Sequence, residues 1–320
     1  MTGKRRNDIE RILLYLLAMM ALAACGTTEA SDGDGKLNVV ATTGQIADAL
    51  HNIGGDAINL TGLLGPGVDP HLYVPTEGDV RTLSRADVIV YNGLHLEAQM
   101  ERVLEQMGTR GKTVVAVGDS LPEERLLDWD SSAPHDPHIW NDPQLWSLTV
   151  ETMRDTLAEA DPANAELYRA NAEAYLQEIA ETDQYIREQL ARVPPERRVM
   201  ITAHDAFGYF ASAYGFEVAG LQGISTEAEA SVGDIQELGD LIVERQIPAV
   251  FVETSVSPRN IEALQAYVRD KGFELAIGGS LYSDALGGPD TPEGTYTGML
   301  RHNAKTLADA LSGEQPPTDD

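Results

Sequence analysis

The stretch from residue 161 to 193 constrains this chain more than any other. It reads DPANAELYRANAEAYLQEIAETDQYIREQLARV, with no glycine and no proline after Pro162. Asp161 suits a helix N-cap, and Pro162 suits the first helical position, where its missing N–H is not needed. Tyr168, Ala172, Tyr175, Ile179, Ile186, Leu190 and Val193 recur in steps of three and four, the spacing of one helix face, and only Thr182 interrupts the stripe. Asp183 with Arg187 and Glu188 with Arg192 are i,i+4 pairs in the favourable order, acid first. Pro194-Pro195 ends the run. A helix over 161–193 would be about 50 Å long, more than a small domain is wide. It is therefore either a coiled-coil arm or a strut between two bodies.

The flanking segments favour the strut. Before it, short apolar runs at 37–42, 58–64, 87–92 and 113–117 alternate with helical patterns at 44–53, 75–85, 96–107 and 144–160. After it the alternation restarts, with strands expected at 198–202, 216–221, 249–254 and 273–279, and helices at 204–214, 232–245, 258–270 and 295–311. Strands separated by helices imply parallel sheets with helical crossovers. The expected fold is α/β, with two lobes of mainly parallel sheet over 37–160 and 194–312. One long helix over 161–193 stands between them as a strut. Residues 313–320 read as a disordered tail.

The N-terminus is of another kind. Lys4, Arg5, Arg6 and Arg11 precede an apolar run from Ile12 to Ala24, too short for a comfortable membrane span and right for a signal-peptide core. The run ends Leu22-Ala23-Ala24-Cys25, which resembles the lipobox of bacterial lipoproteins. The expectation is a signal peptide over 1–24, a lipid on Cys25, and a flexible tether over 25–36. Cys25 is the only cysteine, so a lipidated chain has no thiol for a disulfide or a thiolate metal site. The net charge is −28, and removing residues 1–24 makes it two units more negative. That balance argues against nucleic acid, which needs a basic footprint.

The seven histidines sort by position. Ligands of open α/β sheets bind outside the carboxyl ends of the strands. His71 follows the strand at 58–64, His138 the strand at 113–117, His204 the strand at 198–202, and Asp284 the strand at 273–279. Each taken alone reads equally well as a solvent-exposed loop or turn residue, but the set places two candidates in each half. His51 and His302 read as surface residues of helices. His95 lies near the cleft, and His135 stands close enough to His138 to touch a bound ion in passing. Glu253, at the end of the strand at 249–254, reads either as an acceptor behind one of the imidazoles or as a structural carboxylate.

The segments DPHLYVPTEGDVRTLSRADVIVYNGLHLE, HDPHIWNDPQLWS, TAHDAFGYFASAYGFEVAGLQG and GGSLYSDALG, followed by GTYTGM, resemble the TroA-like zinc and manganese solute-binding lipoproteins of ABC importers (the cluster A-I metal-binding family). The resemblance runs from about Lys36 to Leu311. It implies two α/β lobes joined by one long rigid helix with the metal site in the cleft between them, metal ligands at His71, His138, His204 and Asp284, and one Zn²⁺ or Mn²⁺ ion as cargo. It further implies an ABC permease with its cytoplasmic ATPase as partner, a monomer, and an extracytoplasmic, lipid-anchored location. Three imidazoles and a carboxylate form an N/O donor set that suits either ion. Manganese proteins of this family carry Glu at the third position, where this chain has His204. Zinc-dedicated ones carry a His-rich loop before the second ligand, where this chain has only His135. Two other functions fit less well. One is a surface adhesin with a structural metal. The other is a metallohydrolase, which would need an open coordination position and a general base.

Overall fold

The computed structural model describes residues 35–129 and 133–313. The expected signal peptide over 1–24, the lipidation site Cys25, nearly all of the tether over 25–36 and the expected tail after Gly313 lie outside the described residues.

Four parallel strands build the first sheet: β1 (Leu37–Ala41), β2 (Ile58–Gly62), β3 (Val88–Tyr91) and β4 (Thr113–Ala116), in the order β2-β1-β3-β4. The second half contributes β5 (Val199–His204), β6 (Glu217–Gln222), β7 (Ala249–Glu253) and β8 (Ala276–Leu281). They pair in parallel as β5-β6 and β7-β8, and β5 runs beside β7. The spatial order β6-β5-β7-β8 therefore repeats that of the first half. In both halves the order turns between the first and third strands, which is where α/β sheets open a crevice at their carboxyl ends.

The helices are α1 (Gly44–Gly54), α2 (Glu77–Arg85), α3 (Glu101–Thr109), α4 (Pro143–Ala160), α5 (Ala165–Leu190), α6 (Gly208–Tyr214), α7 (Val232–Arg245), α8 (Arg259–Asp270) and α9 (Tyr296–Leu311). Local chemistry explains several of their starts. Thr76 with Asp79 and Ser231 with Asp234 form capping boxes at α2 and α7. Asp142 caps α4, with Pro143 in its first turn.

The long helix α5 has 26 residues, about 39 Å, after a 3₁₀ turn at Pro162–Asn164. It is shorter than the pattern suggested. The Asp161 carboxylate takes the Asn164 side chain and the Tyr168 hydroxyl instead of capping α5, and Val193 sits buried in the turn beyond it. The whole stripe is buried, Thr182 included. It lies along α4, α1 and α9, so the helix crosses no open gap. Asp183 pairs with Arg187 at 3.1 Å as expected, while Arg192 reaches Asp309 of α9 at 3.1 Å.

One continuous core runs through both halves. It includes Val39 and Val88 from the first sheet, Met200 from β5, Phe251 from β7, and Trp146, Tyr168 and Tyr296 from the helices between them. Smaller clusters cover the outer faces of the strands in each half. Trp146 and Tyr296 stack with centroids 5.4 Å apart, and the Tyr296 hydroxyl donates to the Trp140 carbonyl at 2.7 Å. Among the described residues no helix is long and apolar enough to cross a membrane.

Three further expected boundaries move, each because a specific hydrogen bond or close approach overrides the hydrophobic pattern. The helix expected from residue 96 begins at Glu101, because Glu97 turns its carboxylate back onto the N–H groups of Asn92 and Gly93. The strand expected over 273–279 begins at Ala276, because Phe273 is still closing the end of α8 through Val268. The helix expected from His204 begins at Gly208, because His204 stays in β5. Gly220 on β6 makes room for that extension, since a Cβ there would stand 2.3 Å from the Asp205 nitrogen.

Candidate metal centre

His71, His138, His204 and Asp284 meet at the carboxyl ends of the strands. One donor atom from each lies within 4.8 Å of every other, and all four residues are at most 2% exposed.

Two of the four stand in the same tripeptide, Asp-Pro-His, at 69–71 and 136–138. In each, the aspartate Oδ1 accepts from the histidine backbone N–H, at 2.8 Å for His71 and 2.9 Å for His138. This Asx-type turn fixes where the imidazole starts. Asp136 Oδ1 also lies 2.7 Å from His138 Nδ1, which holds a proton there and turns Nε2 inward. Asp69 instead uses Oδ2 to accept from Thr226 Oγ1 of the second half at 2.6 Å. Asn92 secures the second turn by donating to the Pro137 carbonyl.

His204 is the last residue of β5, and Glu253 the last of the neighbouring β7. Glu253 accepts twice from it: Oε1 from the backbone N–H at 2.9 Å, and Oε2 from Nδ1 at 2.6 Å. Asp284 comes three residues after β8. Its loop is pinned by Trp140 Nε1 donating to the Ser283 carbonyl and by Asn303 of α9, which bonds both the N–H and the carbonyl of Tyr282.

The facing atoms are closely spaced. His71 Nε2 and His138 Nε2 are 3.2 Å apart, His138 Nε2 and Asp284 Oδ1 3.5 Å, and His204 Nε2 and Asp284 Oδ2 3.3 Å. Donors bound at 2.0–2.1 Å around a tetrahedral ion stand about 3.3 Å from one another. His204 Nε2 and both Asp284 oxygens are buried without a hydrogen-bond partner, and buried polar atoms of that kind need an explanation. A divalent cation among them supplies one.

The electrostatics agree with that chemistry. Burial pushes the His71 imidazole down to about 3, and the neighbouring His138 and His204 add to the effect against the pull of Asp284. His71 is therefore neutral, the form that ligates. Burial also acts against charge on His204, but Asp284 and Glu253 on either side outweigh it and raise its pKa well above the usual value. Burial would raise Asp284, yet His204 chiefly, with His138 and His71, holds it below the ordinary carboxylate range. The pocket thus balances its carboxylates with a proton on His204, which a bound dication would replace.

The remaining histidines stay outside the set. His51 is exposed on α1, and His302 bonds the Ser280 carbonyl from α9. His135 forms an isolated bridge with Asp128, and His95 pairs with Glu101 on the surface. Glu253 is a candidate from the sequence, whereas the carboxylates of Asp69 and Asp136 emerge only in the folded chain. The repeated Asp-Pro-His tripeptide was the signal for both.

Residues 39–310 match the family described as zinc-uptake complex component A, periplasmic. The chain is 46% identical over 297 residues to the manganese-binding lipoprotein MntA of Bacillus subtilis (strain 168), covering 92% of this chain and 97% of that protein. It is 46% identical over 308 residues to the zinc-binding protein TroA of Treponema pallidum (strain Nichols), covering 95% and 99%. The solved structure of the periplasmic zinc-binding protein TroA from Treponema pallidum superposes with a TM-score of 0.84 at 48% identity, over 87% of this chain and 99% of that one.

Proposed function

The chain belongs to the periplasmic zinc-uptake component A family, and from that premise we propose that it is the extracytoplasmic solute-binding component of an ABC-type importer, capturing Zn²⁺ or Mn²⁺ and delivering it to the permease. One observation carries the reading: four buried donor residues, two from each half of the chain, bring one donor atom each to within 4.8 Å of one another, and their nearest facing atoms stand 3.2–3.5 Å apart, close to the separation of donors around a tetrahedral ion. His71, His138, His204 and Asp284 are the ligands. Glu253 and Asp136 orient two of the imidazoles.

This arrangement suits cargo better than catalysis. A hydrolytic metal keeps a position open for water, whereas here four protein donors, on residues at most 2% exposed, make up a full set. Because the ligands come from both halves, movement of residues 37–160 against 194–312 on docking at the permease would pull the set apart and free the ion. α5 packs along its length against helices of both halves and limits that movement. The three-nitrogen, one-oxygen set has intrinsic preference for Zn²⁺ over Mn²⁺. Relatives with each name are equally similar to the chain overall.

The N-terminus completes the proposal. Cleavage before Cys25 and lipidation of its thiol would tether a monomeric binding protein to the outer face of a membrane. The Leu22-Ala23-Ala24-Cys25 motif supports this, as does the lipoprotein description of the Bacillus subtilis relative.

Uptake tests the function directly. In a bacterium lacking its own metal-binding component, this chain is expressed with its permease and ATPase, and Zn²⁺ and Mn²⁺ accumulation is followed. Accumulation of either ion that a His71→Ala, Asp284→Ala double variant abolishes is the expected result. Equal accumulation with and without the chain would overturn it.

A further inference from the structure

The turn after β3 is strained in a way that the four-donor set does not use. Leu94 and His95 have φ of 52° and 69°, and two successive non-glycine residues in the left-handed region are costly. Glu97 holds the turn in place. Its buried carboxylate accepts from Thr42 Oγ1 at 2.6 Å, Asn92 N at 2.8 Å and Gly93 N at 3.1 Å. Gly118 lets the Leu94 side chain settle, since a Cβ there would come within 2.7 Å of it.

The strained turn sets the His95 imidazole on the rim of a cavity of about 200 Å³. Buried His71 forms part of the cavity wall, and exposed Glu227 of the second half lines the same cavity. The cavity therefore leads from solvent to one of the proposed ligands. His95 Nδ1 lies 2.8 Å from Glu101 Oε1. The same pairing of an imidazole Nδ1 with a carboxylate occurs at His138 with Asp136 and at His204 with Glu253, at 2.7 and 2.6 Å. Such a partner keeps the proton on Nδ1 and leaves the Nε2 lone pair for a cation. Glu227 is positioned by Gln99, whose Nε2 donates to its Oε1 at 3.2 Å.

We propose that His95, with Glu227 lining the same cavity, is an outer capture site that holds a divalent cation briefly before it passes to His71 and the buried set. The proposal rests on reading the buried set as the metal site. A hydrated dication meets first a carboxylate, which draws it to the mouth, and then an imidazole, which replaces one of its waters. Stepwise exchange of this kind changes the rate of loading without changing the stability of the loaded state.

Stopped-flow transfer of Zn²⁺ from a chromophoric indicator tests it on the full folded chain. His95→Asn keeps a residue that tolerates the left-handed conformation and removes the imidazole. Glu227→Gln keeps an acceptor for Gln99 and removes the charge. Both variants should load Zn²⁺ more slowly, by about tenfold for His95→Asn. Release should slow in proportion, so the equilibrium affinity is unchanged. Loading at the unaltered rate in both variants would overturn the capture site. A weakened equilibrium affinity in His95→Asn would also overturn it, since that makes His95 a ligand of the loaded state. If the unaltered protein binds no Zn²⁺ at all, the reading of the buried set fails first, and a distinct result marks that case.

Discussion

Glu253→Gln probes how the site controls its ligands. Glu253 receives two donors from His204: the backbone N–H at Oε1, 2.9 Å away, and Nδ1 at Oε2, 2.6 Å away. A carboxylate accepts both, but a glutamine has only one oxygen. If that oxygen keeps the backbone N–H, the amide nitrogen faces Nδ1 and donates to it. The ring proton then moves to Nε2, the atom that points at Asp284 from 3.3 Å. The lone pair needed for the metal is lost. If the amide turns the other way, the His204 N–H faces an NH₂ group, and an unmet buried donor costs about 1–3 kcal/mol of fold stability. Metal affinity should therefore fall toward the upper end of the 10- to 100-fold range seen when such partners are removed, about 2.7 kcal/mol at the limit. Competition against a chromophoric chelator measures the affinity, and circular dichroism during urea unfolding measures the stability. A folded variant with unaltered affinity and unaltered stability would refute the reasoning, because both orientations of the amide would then be harmless.

Three further outcomes are expected. Asp136→Asn should weaken the metal less than Glu253→Gln, because a single oxygen, Oδ1, already accepts both the N–H and Nδ1 of His138. An equal or larger loss in the same chelator assay would contradict this. Ile179→Gly, in the buried stripe of α5, should destabilise the fold by about 3–6 kcal/mol, from the lost side chain and the flexible backbone together. Urea unfolding showing a change below about 1 kcal/mol would mean that the stripe is not packed as described. Asp48 is held above the ordinary carboxylate pKa by burial, with repulsion from Glu178 adding to it, so the folded chain favours its protonated form. Its contribution to stability therefore falls as pH rises above 3.8 toward its folded pKa. Asp48→Asn keeps an oxygen for the Tyr175 hydroxyl and the Tyr296 N–H. It should be at least as stable as the parent at pH 7, with the difference shrinking in acid. Urea midpoints across pH would expose the opposite trend.

How much of this was legible in the sequence depended on the range of the forces involved. The helix at 165–190 was visible because its apolar stripe repeats locally and prolines stand outside both ends. The four donors were visible because the carboxyl ends of parallel strands sit at one edge: the loops there carry His71, His138 and Asp284, and His204 ends β5. Boundaries failed where a single side-chain hydrogen bond decided them. Glu97 delays α3 by bonding back to Asn92 and Gly93 just before it, and the distant Glu253 on β7 keeps His204 in the strand. Hydrophobic periodicity encodes neither. The roles of Asp69 and Asp136 depend on the same short turn written twice, a signal that reads as a proline loop until the histidine beside it is known to point inward. What covers the long helix was not legible for a related reason. Amphipathic spacing identifies a face to be covered, but not whether the cover comes from one body or several, and here α1, α4 and α9 supply it.

The central claim is that His71, His138, His204 and Asp284 together hold one transition-metal ion. Metal content by mass spectrometry, on protein purified without added metal and then equilibrated with limiting Zn²⁺ and Mn²⁺, tests it most directly. One ion per folded chain, lost in His204→Ala, is the predicted result. A folded chain that takes up neither ion, or a His204→Ala variant that retains a full equivalent at unaltered affinity, would contradict it.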